Sequence, residues 1–373
     1  MANRTYTVRT WDGSTGLDAD FVELPFAIYD RDPQWIPEVT ADLCRQFSSE
    51  NAWFEDGRAQ CFVVANKARM AVFISPKMVI DGAQAAFFGC WESSGDPDVE
   101  QLMWHAASTW ATRQGAEVMY GPINFSTYGP YRLRLSAERN PQTFQSEPYN
   151  PPAYPQLLVA AGFQVCARYV VQIGSQGRAM RLAHAGEAHL NALRTQGFRF
   201  TPITEDQWMR RLPELHAMVD HTFSQNFAYT PLPYSTFEAN CGRPFVRKIC
   251  PLTSTLVLDE RDEIVGFSLI YPHFGALAIQ SAPNAVPVSK LTYEDHFSQL
   301  AVPRSALVKT LATRPEFRRQ GIFNAMVTYA MLRGASVYDW WYGSMIRSDN
   351  YSRRYAAEAH EHERWYGLFK KDL

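Results

Sequence analysis

SALVKTLATRP (305–315), RRQGIFNAMVTYAMLRGA (318–335) and VYDWWYGSMI (337–346) decide the fold. They read in order as a strand, a glycine-bearing loop entering a helix, and a second strand. A turn of this kind can aim several backbone N–H groups at one anion. Glycine permits the close approach, and the helix start adds favourable polarity. Arg318 and Arg319 would supply charge-assisted contacts to a pyrophosphate, yet an arginine pair opening a helix is also an ordinary solvated feature. On these residues alone, both readings stand.

The same grammar surrounds this core. FRFTPI (198–203) reads as a strand, EDQWMRRLPELHAMVDHTFS (205–224) as a helix adjusted at Pro213, and TSTLVLDERDEIVGFSLIYP (253–272) as a hairpin turning at Glu260 to Asp262. The first half runs through a comparable series. A strand spans Tyr6 to Trp11, a helix Phe21 to Tyr29, two strands flank Asn66-Lys67, and QAAFFGCWES (84–93) is a third. A loop, a helix over 99–114 and the strand Ala116 to Tyr120 follow. Helix 154–163, ended by Gly162, and the strand VCARYVVQI (165–173) complete the series. The order of elements therefore recurs, with a join near residue 185.

Length and composition agree. At about 150 residues per domain the 373 residues amount to roughly 2.5, which allows two full-sized domains or one very large one, and the recurring order favours two. A 46% hydrophobic content with 20% charged residues supplies real cores and opposes general disorder. Lys and Arg number 36 against 38 Asp and Glu, a net charge of −2, which leaves no basic excess for nucleic acid. The six cysteines form no CxxC pair, which fits a reduced compartment. No apolar run reaches the length of a signal or a membrane span, so the expected address is the cytoplasm, with no membrane partner. His360 and His362 do not form an HExxH motif, and no metal is expected.

Residues 318–323 resemble the Arg/Gln-x-x-Gly-x-Gly/Ala coenzyme A loop of the GCN5-related N-acetyltransferase (GNAT) superfamily. Arg318 and Gly321 match, and Phe323 stands where the family has glycine or alanine. The strand WWYGSMI and then Asn350 extend the likeness, and NPPAYPQLLVAAGF (150–163) resembles the family's late Asn, Tyr and Gly-Phe segment. At the first half's corresponding strand-to-helix junction stands SSGDPDVEQ, whose two aspartates oppose phosphate. The whole chain resembles bacterial tandem acetyltransferase-like proteins. This resemblance implies an α/β fold built on α+β mixed sheets: a degenerate GNAT-like domain over 1–175, a linker and connecting helix over 176–195, and an acyl-CoA-binding GNAT domain over 196–373.

The resemblance further implies acetyl-CoA or another acyl-CoA as co-substrate. It would be held by Leu311, Ala312 and Thr313 on the strand, by Arg318, Arg319, Gln320, Gly321, Ile322 and Phe323 in the turn, and by Asn350. Asn350 could equally cap the helix before SRRYAAEA. The reaction would be transfer of an acyl group to a primary amine of a small molecule, with a tyrosine as proton donor. Tyr366 is the leading match and Tyr355 the second, although either could close the core as an amphipathic side chain. His221 and Glu238 fall in the acceptor-side segment as candidate bases, against simple packing or capping. The aromatics of FAYTPLPYSTF (227–237), with Tyr120 and NFSTYGPY (124–131), could line a pocket between the halves or merely pack against loops. A non-catalytic acyl-CoA-binding or regulatory protein is the rival function, and a peptide or carrier-bound acceptor is a further alternative.

Overall fold

Runs of alternating or wholly apolar residues become strands, and in this computed structural model they join one mixed sheet. The structure describes residues 6–136, 142–350, 352–355 and 359–373, with Arg354 and Tyr355 described by backbone alone. The first half contributes β1 (Arg9–Asp12), β2 (Arg58–Val64), β3 (Ala68–Ile74), β4 (Ala83–Ser93), β5 (Val118–Gly121) and β6 (Gln164–Ser175). The second contributes β7 (Arg199–Pro202), β8 (Thr255–Leu258), β9 (Ile264–Pro272), β10 (Ser305–Thr313), β11 (Trp340–Arg347) and β12 (His362–Asp372). Two-residue strands at Val79–Ile80 and Leu133–Arg134 add to β4 and β12. The longer helices are α1 (Ala19–Ile28), α2 (Thr40–Gln46), α3 (Pro97–Arg113), α4 (Tyr154–Ala160), α5 (Gln176–Thr195), α6 (Glu205–Arg210), α7 (Leu212–Phe223), α8 (Tyr234–Cys241) and α9 (Ile322–Gly334). The stretch expected to link the halves, 176–195, is α5.

The strand order is β1-β2-β3-β4-β5-β12-β6-β11-β10-β9-β8-β7. Each half thus lays down five strands in sequence order and gives its sixth to the other. β12 pairs antiparallel with β5, Phe369 opposite Gly121, and with β6 from His362↔Ile173 to Lys370↔Gln164. β6 in turn pairs with β11, Trp340 opposite Ser175. Only β4–β5 and β10–β11 run parallel within this path. This reciprocal exchange was not foreseen from the sequence. Tyr366 lies within the last strand, whose pairing with β6 begins at His362.

Packing follows from the exchange. On one face a single core runs through both halves: Phe21, Phe47 and Phe73 from the first join Trp208, Leu215 and Phe267 from the second, with Ile173, Tyr366 and Leu368 between them. The other face is covered separately. α3 and α4 bury Val99, Met103, Trp104 and Leu158 over the first half, while α5 and α9 bury Leu190, Leu193, Ala325 and Met326 over the second. Full burial of each such large apolar side chain is worth about 1.5–3 kcal/mol. The expected single helix over 205–224 is two helices meeting at Arg211. Pro213 has no amide to give a preceding carbonyl, so the helix restarts with proline in its first turn.

Candidate active site

The two parallel strand pairs set up the same junction twice, with opposite results. In the second half β10 and β11 pair only from Ser305↔Trp340 to Val308↔Gly343 and then part. At the apex the Ser344 hydroxyl donates to the Val308 carbonyl at 2.8 Å. Lys309 is an extra residue on β10, since Val308 faces Ile270 and Thr310 faces Leu269. Beyond this bulge Lys309 is exposed, Thr310 and Leu311 are half-buried, and residues 343–348 of the facing strand are half-buried although both strands lie inside the sheet. An opening therefore exists there, with a strand edge along it whose alternate amides face the gap.

In the first half β4 and β5 pair up to Phe87↔Tyr120, and β4 also carries an extra residue near Cys90. Here the junction is filled. The Ile123 amide donates to the Phe88 carbonyl at 2.7 Å, and the Cys90 amide donates to Asn124 Oδ1 at 2.8 Å. A Cβ at Gly89 would lie 2.3 Å from Asn124 Oδ1, so backbone and side chain already occupy the gap.

The strand-to-helix turns differ in the same sense. After β10 a 3-10 turn (Pro315–Gln320) leads to Gly321, whose φ of +74° is the left-handed conformation that favours glycine. α9 then starts at Ile322 with no side-chain cap. Ile322 is fully buried and anchors the turn, Phe323 is half-buried, and Arg318, Arg319 and Gln320 are exposed. Arg318 Nη2 donates to the Thr222 carbonyl at the end of α7, at 3.2 Å. Ala312 and Thr313 are buried on β10. In contrast, α3 is capped by Asp96, which accepts from the Asp98 amide at 3.2 Å, and carries Asp98 and Glu100 in its first turn. Buried Glu100 accepts from the Ser93 hydroxyl and, at 2.8 Å, from Trp104 Nε1. Burial raises its carboxyl above the ordinary range against the pull of those two donors. A phosphate finds no vacancy at that helix start.

On the face shared by both cores, the aromatic segments singled out in the sequence meet. The Tyr120 ring lies 5.2 Å from Phe227, and the Tyr128 and Tyr229 hydroxyls are 3.0 Å apart. Tyr229 donates onward to Asp220 Oδ1 at 2.7 Å. Burial raises the Tyr128 and Tyr229 hydroxyls above the ordinary tyrosine range, so both are neutral donors. Lys309 and Arg132 face the same region, and Arg132 Nη1 reaches Met345 Sδ on β11 at 3.2 Å.

The other residues singled out in the sequence are placed as follows. Tyr366 is fully buried, and its hydroxyl donates to Glu147 Oε1, which also pairs with Arg364. Burial and the Glu147 charge hold that hydroxyl well above the ordinary range. β12 stands three strands from β10, roughly 14 Å at about 4.8 Å per strand, so the structure separates Tyr366 from the opening. The backbone of Tyr355 ends the helical turn Ser352–Tyr355, and its side chain lies outside the described residues. Asn350 caps that turn, its Oδ1 accepting from the Ser352 amide at 3.0 Å. His221 is exposed, with Nε2 3.6 Å from Glu316, and Glu238 is exposed on α8. Sequence reasoning missed Lys309, Arg132 and Asp220. A bulge leaves no mark in apolar alternation, and Arg132 is adjacent to the segment 124–131 without being in it.

No protein-family model matches the chain. Protein YghO of Escherichia coli (strain K12) is 27% identical over 126 residues, a match spanning 32% of each protein. Among solved structures the chain is similar to the GCN5-related glucosamine N-acetyltransferase region of a fungal multi-domain GH3 β-N-acetylglucosaminidase. There the TM-score is 0.55 at 13% identity, covering 99% of this chain and 38% of that one. It is also similar to a tandem GNAT protein from the clavulanic acid biosynthesis pathway, at TM-score 0.52, 10% identity and 98% of each chain. An Enterococcus faecalis V583 protein described as a probable N-acyltransferase gives 0.51 at 8% identity, covering 99% of this chain and 73% of that one. The chain has the tandem GNAT fold, as its sequence resemblance implied.

Proposed function

We propose that the chain transfers an acyl group from acyl-CoA to a primary amine at the opening between β10 and β11. The supporting observation is the contrast between its two junctions. One is filled and acid-capped, and the other is open, bulged and led by glycine into an uncapped helix. The residues present suit a coenzyme A ester: Gly321 and the start of α9 for the pyrophosphate, Arg318 and Arg319 beside it, and the open edge at 309–313 for the thioester arm. Half-buried Phe323 fits as apolar cover next to that arm. In this reading the segment 1–175 supplies no second donor site and instead walls the acceptor side, while 196–373 holds the donor.

In the reaction the amine nitrogen attacks the thioester carbon, the C–S bond breaks, and the thiolate takes up the proton that the acylated nitrogen gives up. An edge amide of β10 would polarise the carbonyl. The incoming ammonium must first lose a proton, and the chain Tyr128–Tyr229–Asp220 offers a route: each hydroxyl passes its proton on while Asp220 receives one. Calorimetry with acetyl-CoA and longer acyl-CoAs, paired with a thiol-release assay over a panel of amines, tests the reading. Binding with amine-dependent thiol release is expected. Binding without release for any amine would favour the regulatory alternative, release only with peptide or carrier-bound amines would move the acceptor class, and failure to bind would sink the donor claim.

A further inference from the structure

On the acceptor side of the opening stand two cations, Lys309 and Arg132, that form no ion pair among the described residues. We propose that the acceptor amine also carries a carboxylate or another compact anionic group, bound by Lys309 and Arg132, one from each half of the chain. The proposal rests on the acyl-transfer reading and narrows its substrate class.

Lys309 owes its position to the bulge. Leu307 and Ala312 pack in the shared core, whereas Val308 and Leu311 pack against the α5 and α9 side. The extra residue puts Lys309 and Thr310 together on the shared face, at the point where β10 leaves β11. Solvent reaches the Lys309 side chain although protein surrounds it, as befits a group in a cleft. Lost hydration, and then the charge of Arg132, hold its amine below the ordinary lysine range. The Cys241 thiol is the other group acting on it among the described residues.

Arg132 is fixed from several sides. Its guanidinium carbon lies 3.7 Å from the Tyr131 ring centre and 3.9 Å from that of Tyr169, and it donates to the Tyr131 hydroxyl. Its backbone has φ of +83°, and its contact Met345 has φ of +43°. Two non-glycine residues in the left-handed region, one from each half, therefore touch across the opening. Such backbone is costly and persists where surroundings enforce it, often at ligand sites. Two of the buried arginines, Arg69 and Arg364, pair with carboxylates of the chain, Glu38 and Glu147. Among the described residues neither Arg132 nor Lys309 forms an ion pair, and Arg132 Nε is buried without a hydrogen-bond partner. An incoming anion would answer the repulsion between the two cations and use this donor set.

The test compares matched acceptors on the full-length chain: L-phenylalanine against L-phenylalaninamide, and phosphoethanolamine against ethanolamine. Expected is at least an about tenfold preference in kcat/KM for the anionic member of one pair, carried mainly by KM. Which pair shows it tells carboxylate from phosphate. Lys309→Gln and Arg132→Gly should each bring that ratio toward one, while Lys309→Arg keeps it. Arg132→Gly also removes the left-handed strain, so its unfolding midpoint should match or exceed that of the unaltered chain, which separates lost recognition from lost folding. No preference in the unaltered chain, or a preference unmoved by both charge-removing variants, overturns the proposal. If no amine releases thiol, acyl transfer fails separately. Calorimetry with N-acetyl-L-phenylalanine, its amide and N-acetyl phosphoethanolamine then decides: an anion preference lost in Lys309→Gln supports the subsite, and equal binding of the three overturns it.

Discussion

At the scale of single residues, the partners of a buried polar group tell whether it holds the fold. Tyr366 does so: with Arg364 it saturates Glu147 Oε1, while Glu147 Oε2 accepts from the Phe144 amide at 3.0 Å. Tyr366→Phe should cost about 1–3 kcal/mol in urea unfolding and leave thiol release per folded molecule unchanged. A selective loss of turnover at unaltered stability would return Tyr366 to the chemistry. Glu92 gives a second prediction. Burial pushes its carboxyl up to about 7, against the pull of Arg69 and the Tyr154 and Tyr29 hydroxyls. Between its ordinary value near 4.5 and about 7 the folded chain keeps a proton that the unfolded chain has released. Its contribution is therefore fully present below the lower value and lost as pH rises through the upper one. Unfolding midpoints measured across that window should fall with pH, and Glu92→Gln, neutral throughout, should flatten the slope.

At the scale of elements, one strand, turn and helix occurs in two chemical versions. Asp96→Ala removes the cap of α3 and should cost about 1 kcal/mol of stability without changing acyl-CoA affinity. Gly321→Ala acts in the opposite direction. Its φ of +74° strains any residue with a Cβ, and the added methyl would also displace the exposed His189 ring. An affinity loss of about tenfold in calorimetry is expected, equivalent to about 1.4 kcal/mol; unaltered affinity would remove this turn from donor binding. These two versions were legible in the sequence because caps and turns are local. RRQGIF and SSGDPDVEQ differ in charge and in glycine placement, and those differences act within one turn. The break at Arg211 was half legible, as Pro213 marked it without fixing which residue would stop the helix. Lys309 was not legible, since a bulge is defined by the strand opposite. The role of Asn350 as a cap was readable only as one of two options until its partner Ser352 was seen.

At the scale of the molecule, the shared core and the exchanged strands tie the halves into one unit. Denaturant unfolding followed by hydrogen exchange at the backbone amides of β2 to β4 for the first half and of β8 to β10 for the second should give one midpoint; two separable transitions would show that the halves stand independently. The exchange was invisible in the sequence because a strand's apolar pattern states which face is buried and never which edge it joins. It also imposes an order on biosynthesis. β5 is made early, yet its neighbour β12 is made after every other strand of the sheet. Throughout translation of the second half, the nascent first half therefore carries an unpaired inner edge. Ribosome-bound chains should need protection there, and both halves reach their final pairing in one late, long-range closure.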